Sequence, residues 1–236
     1  MHDAAHIAAM LLRAGIVVGG VVALRRSDAA AAVNAAFALA VALLPAGLAA
    51  AAPSAVGEAM SAASELSLWL ALAGFLHLVG MLGWYDTVRW WDHLTHTVSA
   101  ALVASLVYGG LLVVSRSSSG LGLRTGGIVG ATLGLVFAIG VLWEIGELLA
   151  RDVADRLDIE PVLVHYGRRD TALDLVFDVV GALLVVVVDV RLFVPVAALS
   201  PSTIRTALLW VGWSVGGGSL LLATGLLLSR GRGESS

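Results

Sequence analysis

Seven largely apolar runs, each close to 20 residues long, constrain this chain more than any motif in it. They fall near residues 7–24, 30–52, 66–84, 93–114, 126–150, 171–190 and 205–228. A helix rising about 1.5 Å per residue needs about 20 residues to cross about 30 Å of hydrocarbon. Within lipid every backbone polar group must find its partner inside the structure, which selects helices for such runs. The expected fold is an all-α, polytopic transmembrane helical bundle of about seven spans, forming a single integral membrane domain over residues 1–236. Composition agrees: 59% of the residues are hydrophobic and 13% charged, with a mean hydropathy of +0.94, where soluble domains carry about 25% charged residues. Residues able to carry chemistry concentrate at about 84–190. The spans within 7–52 and 205–228 read as scaffold.

Several classes of function are excluded at this stage. The 14 basic residues are all Arg and lie singly or in pairs in a chain of net charge -3, so there is no basic stripe for nucleic acid. Cysteine is absent, which removes disulfides, thiolate metal sites and a cysteine nucleophile. The first run follows Met1-His2-Asp3 and precedes Arg25-Arg26, the reverse of a secretory signal's charge pattern, and is expected to stay as a helix.

Arginine placement sets the expected orientation. With the amino terminus outside, Arg25, Arg26, Arg89, Arg151, Arg156, Arg168, Arg169, Arg230 and Arg232 lie inside, against Arg116, Arg124, Arg191 and Arg205 outside. The positive-inside rule then predicts a multi-pass protein of the plasma (inner) membrane with a cytoplasmic carboxy terminus. The loop at 53–65, with Glu58 and Glu65 and no Arg, fits the outer face.

Packing signals are mostly structural. Gly126, Gly130 and Gly134 share one helix side and predict close approach of another helix. Trp84, Trp90 and Trp91 bracket a turn at the expected headgroup level and read as interfacial anchors. Gly216-Gly217-Gly218 predicts a kink or a close contact. His77 and His165 stand alone and read as packing or loop residues.

Ionisable residues that interrupt apolar spans carry the functional information. At the start of the fourth span Asp92, His93 and His96 fall within about 100° of one helix face. Near the end of the fifth, Glu144 and Glu147 are about 60° apart around the axis. At the start of the sixth, Asp170, Asp174 and Asp178 recur every four residues along one stripe. These three helix ends share one side of the membrane whichever way the chain is oriented.

A charged side chain at mid-membrane costs roughly 2.5–3.5 kcal/mol, so such groups are expected to face the bundle interior or a wet cavity. Six acids stand against two imidazoles, with Arg151, Arg168, Arg169 and Arg13 nearby. Three remedies stay open. A structural network would pair Glu147 with Arg151 at i,i+4 and cap the aspartates with Arg168 or Arg169. A divalent metal would take His96, Asp92, His93, Asp174 and Asp170 as candidate ligands beside Glu144 and Glu147, a hard-to-borderline set suited to zinc, manganese or iron. A proton or cation path would use the same acids as titrating groups. No other cofactor is implied.

The ordered pieces Asp92-x-x-x-His96, Glu144-x-x-Glu147 and Gly167-x-x-Asp170-Thr171-x-x-Asp174-x-x-x-Asp178-x-x-Gly181-Ala182 resemble the VanZ-like superfamily of small multi-pass proteins, in particular its YjdF-type inner-membrane branch. The likeness spans about residues 84–190. Asp178 stands where those relatives often have Asn or an apolar residue, and Trp91 where many have Tyr. The resemblance implies a cell-envelope membrane protein and names no reaction. Two function classes follow. One is a membrane enzyme at the cytoplasmic leaflet acting on a lipid or lipid-linked headgroup, with Glu144 or Glu147 as general base and Arg168 and Arg169 meeting a phosphate. The other is a non-catalytic cation or proton transporter, or an accessory protein built on a charge network. The partners expected are the bilayer and such a lipid, with no oligomeric state specified.

Overall fold

The structure, a computed structural model, describes residues 2–51, 64–117, 121–158 and 167–233. Glu58, His165 and most of the loop expected at the outer face lie outside the described residues. Every regular element described is helical: α1 (His2–Arg25), α2 (Ala29–Ala51), α3 (Ser64–Val79), a π-helical turn (Gly80–Trp84), α4 (Tyr85–Thr87), α5 (Trp91–Arg116), α6 (Thr125–Leu157), α7 (Arg168–Val188), α8 (Val194–Ala198) and α9 (Pro201–Gly233). Six stretches are long and apolar enough to cross a membrane: Ala4–Arg25, Ala29–Ala51, Ser64–Thr87, Trp91–Arg116, Thr125–Leu157 and Arg168–Val188. The seventh expected position is occupied by the helix α9. The chain is a membrane protein built as a helical bundle.

The helices sort into two packed groups. α1, α2 and α3 pack mutually, and α5 packs on α7, α6 and α9. The first group closes on Ile16, Leu78 and alanines such as Ala31, Ala35 and Ala42. The second closes on Ala100, Ala104, Leu111, Val136, Ala182 and Val185. Lipid gives little hydrophobic drive between helices, so small residues that admit close backbone contact take over that role. Gly181 is the tightest case. A Cβ there would overlap the Thr97 carbonyl oxygen and lie 3.0 Å from the Ala101 nitrogen. α7 is thereby locked against α5, with Asp178 and Asp174 one and two turns before the contact.

Three packing expectations are corrected. A Cβ on Gly126, Gly130 or Gly134 would meet nothing within 4 Å, so no described helix approaches that side. α9 runs without a break through Gly216-Gly217-Gly218, and only Gly218 has a near neighbour, Leu142 at 3.6 Å. Trp91 is not an interfacial anchor: it is 7% exposed, its indole N–H donates to the Leu76 carbonyl at 3.0 Å, and Trp84 packs on it edge-on. Trp84 and Trp90 remain exposed.

α6 continues beyond the expected end at 150 to Leu157. Its last turns carry the i,i+4 pairs Arg151–Asp155 at 4.0 Å and Arg156–Asp152 at 2.7 Å. Such pairs support an exposed helix and explain the extension. They also correct the expected Glu147–Arg151 pair, which does not form among the described residues.

Candidate metal centre in a membrane cavity

The start of α5 supplies Asp92 and His96, one turn apart on the inward face. The first turn of α7 is entered from Gly167, whose φ of 115° an L side chain rarely adopts, and its inward stripe carries Asp170, Asp174 and Asp178. Because Gly181 seats α7 on α5, this stripe meets His96 directly. His96 Nδ1 lies 3.1 Å from Asp178 Oδ1. An ionised carboxylate only accepts hydrogen bonds, so with Asp178 ionised Nδ1 carries the proton and Nε2 is left facing the other way. There Nε2 lies 3.9 Å from Asp92 Oδ1 and 3.9 Å from Asp174 Oδ1.

Asp92, His96 and Asp174 present one ligand atom each, all within 4.8 Å of one another. Two ligands at about 2.1 Å from a shared ion can lie at most about 4.2 Å apart. Both His96–carboxylate spacings meet that bound as they stand. Asp174 is 2% exposed, and its Oδ1 has no hydrogen-bond partner among the described residues. A buried carboxylate oxygen left in that state is costly, a cost that a bound cation would offset. The Asp178–His96 bond has the form of the outer contacts that fix a ligand imidazole. These residues therefore fit one divalent ion.

α6 completes the wall. A Cβ on Gly140 would overlap Asp178 Oδ2 and lie 3.2 Å from Leu175, so glycine lets α6 close over the aspartate stripe. Glu144, one turn on, is 3% exposed and within Coulombic reach of Asp174. Glu147 faces the cavity beside the ligand group and accepts a hydrogen bond from Trp143 Nε1 at 2.8 Å.

The group stands at one end of a cavity of about 380 Å³ bounded by α2, α3, α5, α6 and α7. Asp92, His96, Glu147, Asp170, Asp174 and Asp178 line its acidic end; Val41, Leu70, Leu102, Val103, Val136 and Ile139 are among the apolar residues that line it elsewhere. The other predicted residues sit elsewhere. His93 stacks on Phe177, with ring centroids 4.3 Å apart and 12° between planes, and does not join the ligand group. Arg168 and Arg169 are exposed at the amino end of α7 and do not line the cavity, so a phosphate held by them would sit at the protein surface. Arg13 donates from Nη2 to the Ala42 carbonyl at 2.6 Å, so that contact ties α1 to α2.

Three polar residues of this cavity were not expected. His77 contacts Tyr85 Oη through Nδ1 at 2.7 Å and Asn34 Oδ1 through Nε2 at 3.2 Å. Tyr85 Oη lies 3.5 Å from Thr95 Oγ1, which donates to the Asp92 carbonyl at 2.7 Å. His77 is thus a bridge between α2 and α4, in place of the isolated packing residue expected. The π turn makes this possible: Gly83 has φ 118°, and a Cβ on Gly80 would overlap the Tyr85 ring. π turns recur at functional sites. Asn34 also brings α2 into a site read from the sequence as lying wholly within 84–190.

A family model described as "Predicted membrane protein (DUF2238)" matches residues 5–194. No curated protein and no solved structure matches the chain.

Proposed function

The chain belongs to that DUF2238 family of membrane proteins, and we propose that it is a metal-dependent membrane enzyme of the cell envelope, acting at the cytoplasmic leaflet of the plasma membrane on a lipid or lipid-linked group. The observation that carries the reading is one cavity holding two chemistries: a three-residue ligand set, Asp92, His96 and Asp174, at one end and an apolar chamber at the other. The leaflet assignment rests on the arginine distribution. The finer VanZ-like, YjdF-type placement rests on the order of the motifs along the chain.

The residues divide the work by position. Asp178 orients His96 through Nδ1, which leaves Nε2 as the atom that would hold an ion. A divalent ion bound there would polarise a substrate carbonyl or supply an activated water. Of the two glutamates, Glu147 reaches the cavity and would serve as the general base there. Glu144, buried behind it, is a positioning residue.

Elemental analysis of detergent-purified protein tests this reading. The expected result is about one zinc, manganese or iron per chain, lost in Asp174→Asn and kept in Glu147→Gln. Metal-free wild-type protein that unfolds at the same temperature with and without added metal removes the enzyme reading. A second reading, a proton or cation path, is favoured by the string Asn34–His77–Tyr85–Thr95–Asp92. It requires ion-dependent flux in liposomes that His77→Phe abolishes.

A further inference from the structure

We propose that the cavity opens sideways to the bilayer between α2 and α6, and that a membrane lipid enters there, seating one alkyl chain in the apolar end and a neutral or cationic headgroup at the acid-lined end. This rests on the reading of the cavity as a substrate site and names the substrate's class.

The opening follows from the packing of the two helix groups. α2 lines the cavity with Asn34, Phe37, Ala38 and Val41, and α6 lines it with Val136, Ile139, Gly140 and Trp143. Yet these two helices share no packed interface among the described residues; the groups are joined through α3 and α5. A slot is left between them. Two aromatic residues stand at its edges: Phe37 is 67% exposed and Trp143 is 42% exposed, and both also line the cavity. Residues that face the cavity and the outside at once mark the doorway. Since both α2 and α6 are membrane-crossing helices, the doorway faces lipid.

Size and polarity select the occupant. A volume of about 380 Å³ lies at the small end of ligand-pocket sizes, about 300–1,000 Å³, which suits one alkyl chain better than two. Away from the acids, Val41, Leu70, Leu102, Val103, Val136 and Ile139 give α2, α3, α5 and α6 apolar side chains on the chamber wall, which suits an alkyl chain better than a sugar. Charge then restricts the headgroup. Asp92, Glu147, Asp170, Asp174 and Asp178 line the polar end, and no arginine does. Five acidic side chains against one imidazole make that end rich in hydrogen-bond acceptors, with no cationic arginine lining it among the described residues. It therefore favours an amine, amide or ester over a phosphate monoester.

The test reconstitutes the full chain in phosphatidylcholine vesicles with a diazirine-bearing dodecylamine or a diazirine-bearing dodecyl phosphate, followed by irradiation and peptide mapping. Labelling by the amine probe is expected on α2, α5 and α6 at cavity residues such as Val41, Leu102 and Ile139. Two plugs from opposite walls, Val41→Trp and Ile139→Trp, are each expected to cut it at least tenfold while metal content is unchanged. Labelling by the phosphate probe is expected at least tenfold weaker. Amine labelling indifferent to both plugs, or confined to the outer faces of α1 and α9, overturns the doorway. Phosphate labelling equal to or above amine labelling overturns the headgroup assignment. Loss of metal in the wild type with cavity labelling retained overturns the metal reading alone, so the two failures are separable.

Discussion

The two helix groups use the same packing device to opposite ends. In α1–α3, glycines and alanines bring helices together: a Cβ on Gly74 would lie 2.9 Å from Ala38 Cβ, and one on Gly15 would lie 2.7 Å from the Phe75 ring. Among the described residues the buried seam holds no carboxylate, and Arg13 donates to a backbone carbonyl. In α5–α7, Gly181 and Gly140 achieve equally close contact, but the seam carries acids and an imidazole at successive turns. Close packing of small residues is thus what holds both groups in lipid. Buried carboxylates in the seam are an additional cost taken on, among the described residues, by the second group alone, and intramembrane ionisable residues mark functional positions. The cavity forms where the two groups meet, which is why Asn34 and His77, from the otherwise plain group, end up facing the acids.

Crowding the two seams should separate them most sharply. Gly181→Val drives a side chain into α5 backbone, which cannot yield, and overpacking of this kind costs about 1–3 kcal/mol or more; both melting temperature and metal content should fall steeply. Gly15→Ala meets only the edge of the Phe75 ring, and should lower the melting temperature slightly with metal unchanged. Equal effects from the two changes would erase the distinction.

Asp178→Asn comes next. Loss of a contact that orients a ligand imidazole typically weakens metal affinity about 10–100-fold, measurable by chelator competition, and the bundle should remain folded. Tyr85→Phe removes one hydroxyl from the string linking the groups and should cost about 0.5–1.5 kcal/mol in unfolding, with metal stoichiometry intact. Metal loss in Tyr85→Phe would show that the string holds the ligand group in place.

The smallest effect belongs to the opposite end of the molecule. Asp189, in the left-handed conformation that ends α7, accepts from Arg191 Nε at 2.9 Å and from Tyr108 Oη at 2.7 Å. Arg191 first, then Tyr108, holds its carboxyl below the ordinary range. A depressed folded value contributes stability that is present above about pH 4, the unfolded value, and is lost as pH falls through the folded value. Asp189→Asn should therefore lower the melting temperature slightly at neutral pH and converge with the wild type as pH falls below the folded value, so that the acid-side decline is lost.

The sequence made the spans and the acid stripe legible because both are periodic. Helical spacing alone put Asp170, Asp174 and Asp178 on one face, and the order of helix ends put His96 on the same side. Asn34 and His77 escaped because each is a lone polar residue in an apolar run, and Tyr85 because it sits in the turn between two spans; they meet only through the π turn and the Gly83 conformation, which carry no periodic signal. His93 was misjudged for the opposite reason: it shares the face of Asp92 and His96 by angle, but Phe177 covers its ring. The end of α6 was lost to hydropathy, which stops at Ala150, while the i,i+4 charge pattern beyond it spelled out a continuing helix.

An experimental structure of the metal-loaded protein, with anomalous scattering recorded at the metal's absorption edge, tests the central claim most directly. The expected result is a single strong peak within about 2.2 Å of His96 Nε2 and of one oxygen each from Asp92 and Asp174. A peak held instead by surface carboxylates, or His96 turned so that Nε2 faces away from both aspartates, would contradict it.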